Sequence, residues 1–166
     1  MRIGLLLWVM GLFLAGSMHA EGRPGINGVD SLPPVFTIGQ FSEEAEKLNL
    51  SHITLMAACQ DEVLLAYDKW LHMLSELDAM AFDYGLDLKG SKFWFSVYWH
   101  QTGRIKHFAY YLKPGSKPID TKVFEDVLHH FISAYALPVA SGQDFYNYGG
   151  AAFPIAYYRK PVARKN

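Results

Sequence analysis

Two aromatic runs separated by a glycine turn constrain this chain more than any other feature. Phe93, Phe95, Val97 and Trp99 alternate with Trp94, Ser96, Tyr98 and His100; Gln101-Thr102-Gly103 interrupts, and a second run extends from Ile105 to Leu112. Period-two alternation puts successive side chains on opposite faces, so the pattern predicts two antiparallel strands. The spacing has one irregularity. Val97 and Trp99 stand six and four places before Gly103, whereas Ile105, Phe108 and Tyr110 stand two, five and seven places after it. The step of three from Ile105 to Phe108 requires an extra residue beside the turn, a β-bulge, to keep all these side chains facing inward.

Helical patterns flank the hairpin. Val63, Ala66, Tyr67, Trp70, Leu74, Leu77 and Ala81 recur at helical spacing, which predicts a helix over 61–82 with Asp61 as its cap and Gly85 as its stop. After Pro114-Gly115-Ser116, Asp120 caps a second helix whose face is Val123, Phe124, Val127, Leu128, Phe131 and Tyr135, with Ile119 and Phe124 as a hydrophobic staple and Pro138 as its end. Ser42 is expected to cap a short helix reaching about Leu48. The apolar run Ile53 to Cys59 reads as helix because Met56, Ala57 and Ala58 favour it. Phe145 to Ile155 reads as a third strand, broken or bulged at Gly149-Gly150. The expected fold class is α+β, a small antiparallel three-stranded sheet packed against helices in the order helix-strand-strand-helix-strand.

Four regions follow. Residues 1–20 carry Arg2, an apolar stretch from Ile3 to Ala15 and small residues through Ala20, the layout of an export signal. A membrane anchor is the competing reading, though the stretch is short of the roughly 20 apolar residues a span needs. Residues 21–40, rich in Gly and Pro, read as an extended mobile leader, 41–158 as a single α+β domain, and 159–166 as a basic tail with Arg159, Lys160, Arg164 and Lys165. Cys59 is the only cysteine, so an exported chain must rely on its core rather than on an internal disulfide. The formal charge of −1 gives no electrostatic ground for nucleic-acid binding.

The hairpin with its bulge signature and the helix after it, about residues 90–135, resemble the C-terminal domain of TonB and, more distantly, that of TolA. The resemblance implies a periplasmic domain with a small antiparallel sheet on helices that binds partners by strand addition at a sheet edge. Two family features are missing: a long Pro-rich spacer, and the aromatic-Pro signature after the second helix, for which Ala136-Leu137-Pro138 is a thin substitute. A free-standing relative therefore fits better than an energy transducer. Cystatin-like and PepSY-like small domains are the competing folds.

Phe93, Phe95, Val97, Trp99, Phe108, Tyr110 and Leu112 are expected to form the inner face under Val127, Leu128 and Phe131. The opposite face carries Trp94, Ser96, Tyr98, His100, His107 and Tyr111. Either the 61–82 helix covers those residues, or they form a recognition platform in which Trp94, Tyr98, His100, His107 and Tyr111 are the candidate binding residues. Phe145 to Ile155 is the expected edge strand, open to an added partner strand or protected from one by Pro154 and the paired glycines. His100 and His107 across the turn are too few for a zinc site, and His129 and His130 point about 100° apart on a helix. Cys59 follows Met56-Ala57-Ala58 and lacks a flanking nucleophile motif. These features predict an exported, non-catalytic domain without cofactor or metal that binds a protein or peptide, an envelope or membrane-associated protein among the candidates. A small secreted enzyme using Cys59 or a His pair, and a purely structural envelope accessory protein, are the alternatives.

Overall fold

The computed structural model describes residues 32–156. The expected export signal and basic tail lie outside the described residues. The chain is an α+β fold with β1 (Val35–Thr37), α1 (Ser42–Ser51), β2 (Ile53–Thr54), α2 (Leu55–Ala58), α3 (Val63–Asp83), β3 (Lys92–Trp99), β4 (Ile105–Leu112), α4 (Thr121–Ala134) and β5 (Phe145–Ala152). The sheet is mixed and five-stranded, in the order β1-β4-β3-β5-β2.

The three long strands are the expected ones: β4, β3 and β5 form an antiparallel centre. The expectation of three strands fails at the margins. β1 adds to β4 and β2 adds to β5, both parallel. These strands of three and two residues are too short for any periodicity to betray them. Of the expected leader, residues 21–31 lie outside the described residues, whereas Leu32, Val35 and Phe36 are buried, so the domain reaches back to at least residue 32.

The bulge falls where the spacing requires it. Tyr98 pairs with His107 and Trp99 with Ile105, leaving Lys106 as the extra residue. At the turn, Gly103 has φ +82°, and a Cβ there would collide with the Leu137 carbonyl oxygen. The Gly103 carbonyl in turn accepts the Leu137 N–H at 2.8 Å, tying the turn to the segment after α4. Only glycine meets both conditions.

Unlike the expected broken strand, β5 is continuous. Its paired glycines serve close approach instead. A Cβ on Gly149 would lie 3.0 Å from the Trp70 ring, and one on Gly150 would lie 3.1 Å from the Trp94 ring. Successive strand residues face opposite sides, so one tryptophan packs on each face of the same dipeptide.

The inner face matches expectation. Phe93, Phe95, Val97, Trp99, Phe108 and Tyr110 are buried against Phe124, Val127, Leu128 and Phe131 of α4. Each such side chain contributes roughly 1.5–3 kcal/mol on burial, which makes this the main core. The Asp120 carboxylate accepts the Lys122 and Val123 N–H groups at 3.0 and 3.1 Å, capping α4. Asp61, however, is not the cap of α3. It is left-handed (φ 60°) and donates its N–H to the Met56 carbonyl, closing the turn after α2, while Glu62 occupies the cap position without a side-chain bond. Helix α3 also lies on the inner side. Its Trp70, Met73, Leu74, Leu77 and Ala81 belong to the main core, with Trp70 edge-on to Trp99 at 6.5 Å. The expectation that this helix covers the opposite face is therefore corrected: its apolar stripe shares one layer with α4.

Candidate functional site: the outer face of the sheet

With both long helices on the inner side, α1 and the Leu32–Thr37 segment are what covers the opposite face among the described residues. Its residues are Trp94, Ser96 and Tyr98 of β3, His107, Ala109 and Tyr111 of β4, and Tyr146, Tyr148 and Gly150 of β5, as the register dictates. Coverage splits this face in two.

The half nearer the turn is closed. Leu48 of α1 is fully buried against a second cluster with Leu32, Phe36, Tyr98 and Ala109. Tyr98 donates its O–H to the Asn49 Oδ1 at 3.0 Å, and the Tyr146 ring stacks on it at 6.0 Å. Burial pushes the Tyr98 phenol above its usual range. His107 is buried, with Nδ1 at 3.1 Å from the Pro33 carbonyl oxygen. Two of the five candidate residues, Tyr98 and His107, are thus core residues of the outer layer. His100 lies on the turn, where Nδ1 is 2.9 Å from the Thr102 hydroxyl. Six strand positions, about 20 Å, separate it from Trp94.

The other half is open. Trp94, Tyr111 and Tyr148 are 38%, 44% and 56% exposed. Trp94 pairs across the sheet with Tyr111 on one side and Gly150 on the other. Its indole stacks on the Tyr148 ring at 5.3 Å with an interplanar angle of 12°. The Lys113 ammonium lies 3.4 Å from the centre of the Trp94 ring. Such a cation–π contact contributes about 0.5–1 kcal/mol at an exposed site and presents a positive charge above an aromatic surface. Between α1 and the sheet a cavity of about 260 Å³, lined by Ile38, Glu46, Asn49, Ser96 and Tyr98, reaches Tyr148 and so borders this platform. Sequence reasoning missed Tyr148 and Lys113; the alternation of Tyr146 and Tyr148 carried the signal for the first.

A charged cluster at the turn end was also not foreseen. The Asp144 carboxylate accepts the Gln101 N–H at 2.8 Å, and its Oδ2 lies 3.4 Å from Lys106 Nζ and 3.9 Å from His52 Nε2. Burial would raise the Asp144 pKa, but the Gln101 N–H and Lys106 together hold it below the usual carboxylate value. Burial lowers that of His52, whose Nε2 has no hydrogen-bond partner. The cluster ties the bulge residue to the start of β5 and to the end of α1.

Cys59 is buried in the main core, and burial pushes its thiol pKa up, with Lys69 acting weakly in the other direction. A raised pKa leaves less of the nucleophilic thiolate at neutral pH. Among the described residues no three His, Cys, Asp or Glu side chains converge in a way that would hold a metal ion, and no helix is long and apolar enough to cross a membrane. Comparisons with known protein families, with curated proteins and with solved structures find no match to this chain.

Proposed function

We propose that this chain is an exported, non-catalytic binding domain that engages a protein or peptide through the open half of its outer sheet face. The observation supporting this is the contiguous group Trp94, Tyr111 and Tyr148 with Lys113 over the indole. Large aromatics with polar tips, a nearby cation and little else exposed on the sheet have the composition of an interface centre. This mode differs from the strand addition at a sheet edge that the TonB-like resemblance implies, because here the face of the sheet meets the partner. The surface is narrower than the five residues read from sequence, since Tyr98 and His107 belong to the covered half.

The experiment is partner capture from envelope extract, identification of the captured polypeptide, and titration of it in purified form against the wild-type chain and W94A/Y148A. The double variant is expected to bind at least about tenfold more weakly while melting as cooperatively as wild type. Unchanged affinity for the purified partner would exclude the platform.

The enzymatic alternative draws least support from the site, because the buried thiol is poorly suited to nucleophilic attack. Alkylation of native Cys59 that proceeds rapidly below neutral pH would restore it.

A further inference from the structure

We infer that the platform on the outer sheet face takes an acidic peptide segment, with one apolar side chain of that peptide seated in the cavity beside α1. The inference rests on the reading that this face binds a polypeptide, and it supplies the chemistry of that polypeptide.

The first observation is the charge at the end of the face remote from the turn. Lys92 precedes the inward-facing Phe93, so alternation places it on the same side as Trp94. The Lys113 N–H donates to the Lys92 carbonyl at 2.8 Å, which makes the two lysines neighbours across the strands. Among the described residues neither is joined to an acid by an ion pair, while Asp87, in the segment before β3, is held by Lys117 at 2.9 Å. Lys89 adds a further exposed cation nearby in the chain. Like charges on adjacent strands repel, and a carboxylate bound between them removes that repulsion.

Lys113 is also held in place. Its ammonium lies 3.4 Å from the centre of the Trp94 ring, and a Cβ on Gly150 would come within 3.0 Å of it, so the glycine leaves the room it occupies. A cation already fixed over an aromatic ring loses little side-chain freedom when a carboxylate reaches it.

The second observation is the cavity of about 260 Å³ on the other side of the platform. Phe36, Ile38, Ala45 and Ala109 give it an apolar lining, and Tyr148 joins it to the exposed rings. Ser96 also lines it and stands four positions from Lys92 on the same strand. That is about 13 Å, a distance an extended peptide covers in four residues. Glu46, exposed on α1, borders the cavity and opposes an acid there. The surface therefore matches one polarity: an apolar residue at the cavity and carboxylates about four residues away, over the lysines. The recess favours a peptide over an anionic lipid surface, which would use the lysines and rings and leave it unfilled. Side chains make all of these contacts, and no main-chain pairing with the sheet is involved.

The test titrates the purified, isotope-labelled chain with the capped peptide Phe-Ser-Thr-Ser-Glu-Glu and with its reversed sequence, because the face does not fix chain direction. Chemical shifts are followed by NMR. One of the two peptides is expected to saturate with a Kd of about 1 mM or tighter, moving the Trp94 indole and the Ser96 and Tyr148 amides. Lysine in place of both glutamates should weaken binding by at least about fivefold, and alanine in place of phenylalanine by at least about threefold. K92E/K113E should reverse the charge preference and bind the lysine peptide more tightly, which also shows that the variant is folded. No saturable shift with either peptide, equal affinity for the glutamate and lysine peptides, or an unreversed preference in K92E/K113E overturns the proposal. So does binding to phosphatidylglycerol vesicles without any response to the peptides, which would assign the face to a lipid surface. If W94A/Y148A loses the captured partner while the peptides fail, the platform stands and only its acidic preference falls. If the captured partner binds W94A/Y148A unchanged while the charge reversal holds, the peptide site stands and the reading of the partner surface falls.

Discussion

The two faces of the sheet carry nearly the same density of aromatic side chains and meet opposite fates. On the inner face Phe93, Phe95, Val97, Trp99 and Phe108 are fully buried beneath two helices. On the outer face, Tyr98 is as buried as its inner neighbours, whereas Trp94, four residues earlier on the same strand, is 38% exposed. Side-chain chemistry does not make this difference. The covering elements do: α3 and α4 share the inner layer, while the ten-residue α1 covers only one half of the outer face. An aromatic strand therefore identifies surfaces that want cover without saying which of them receive it.

The sharpest way to break this comparison is to truncate an inner residue. Phe95→Ala is expected to cost about 3–5 kcal/mol in denaturant unfolding, since it opens a void between β3 and α4. Leu48→Ala tests whether the outer cluster belongs to the same cooperative unit; a loss of about 2–4 kcal/mol with an unchanged denaturant slope would show that it does. A smaller loss with a separate early transition would show α1 detaching by itself. Tyr98→Phe removes the hydroxyl that bonds Asn49 and Ser96 while keeping the ring, and should cost about 0.5–1.5 kcal/mol.

Acidification probes the turn end of the outer layer. His52 is held below its usual value of 6.5 by burial, against the pull of Asp144 and with Lys106 and His107 adding to the push. The unfolded chain accepts a proton that the folded chain resists, so this contribution is complete above the unfolded pKa and declines as the pH falls through and below it. Melting temperature followed from about pH 7.5 down to 5 should fall more steeply for wild type than for His52→Gln. Asp144, whose pKa is depressed, loses its contribution only in the lower carboxylate range, which separates the two groups. Trp94→Ala should cost about 1–2 kcal/mol, well below Phe95→Ala, because the partly exposed ring gives up its stacking on Tyr148 and its cation–π contact with Lys113. A cost near that of Phe95→Ala would show the platform to be core.

The hairpin, its bulge at Lys106, the inner-face residues and the Asp120 cap were legible because each leaves a local and periodic mark. Periodicity also found α3 but not its layer, since an apolar stripe specifies a buried side of the helix and says nothing about which sheet face receives it. The margins were illegible for a different reason. Val35–Thr37 and Ile53–Thr54 are too short to carry a pattern, and Pro33-Pro34 with Gly39 disguised the first as leader. At the site, the alternation places Trp94, Tyr98, His107 and Tyr111 on one face without saying which of them are covered; Trp94 and Tyr111 are exposed, whereas Tyr98 and His107 lie under Leu48 and the segment from Leu32 to Phe36.

The parallel strands at the two margins have a consequence for biosynthesis. Val35 must find Phe108, and Ile53 must find Phe145, so the first part of the domain to leave the ribosome waits for partners 73 and 92 residues downstream. At about 5–20 residues per second that is several seconds to some twenty seconds. Throughout that interval Leu48 and Phe36 lack their native cover, which makes the earliest-born stretch the one most in need of a chaperone.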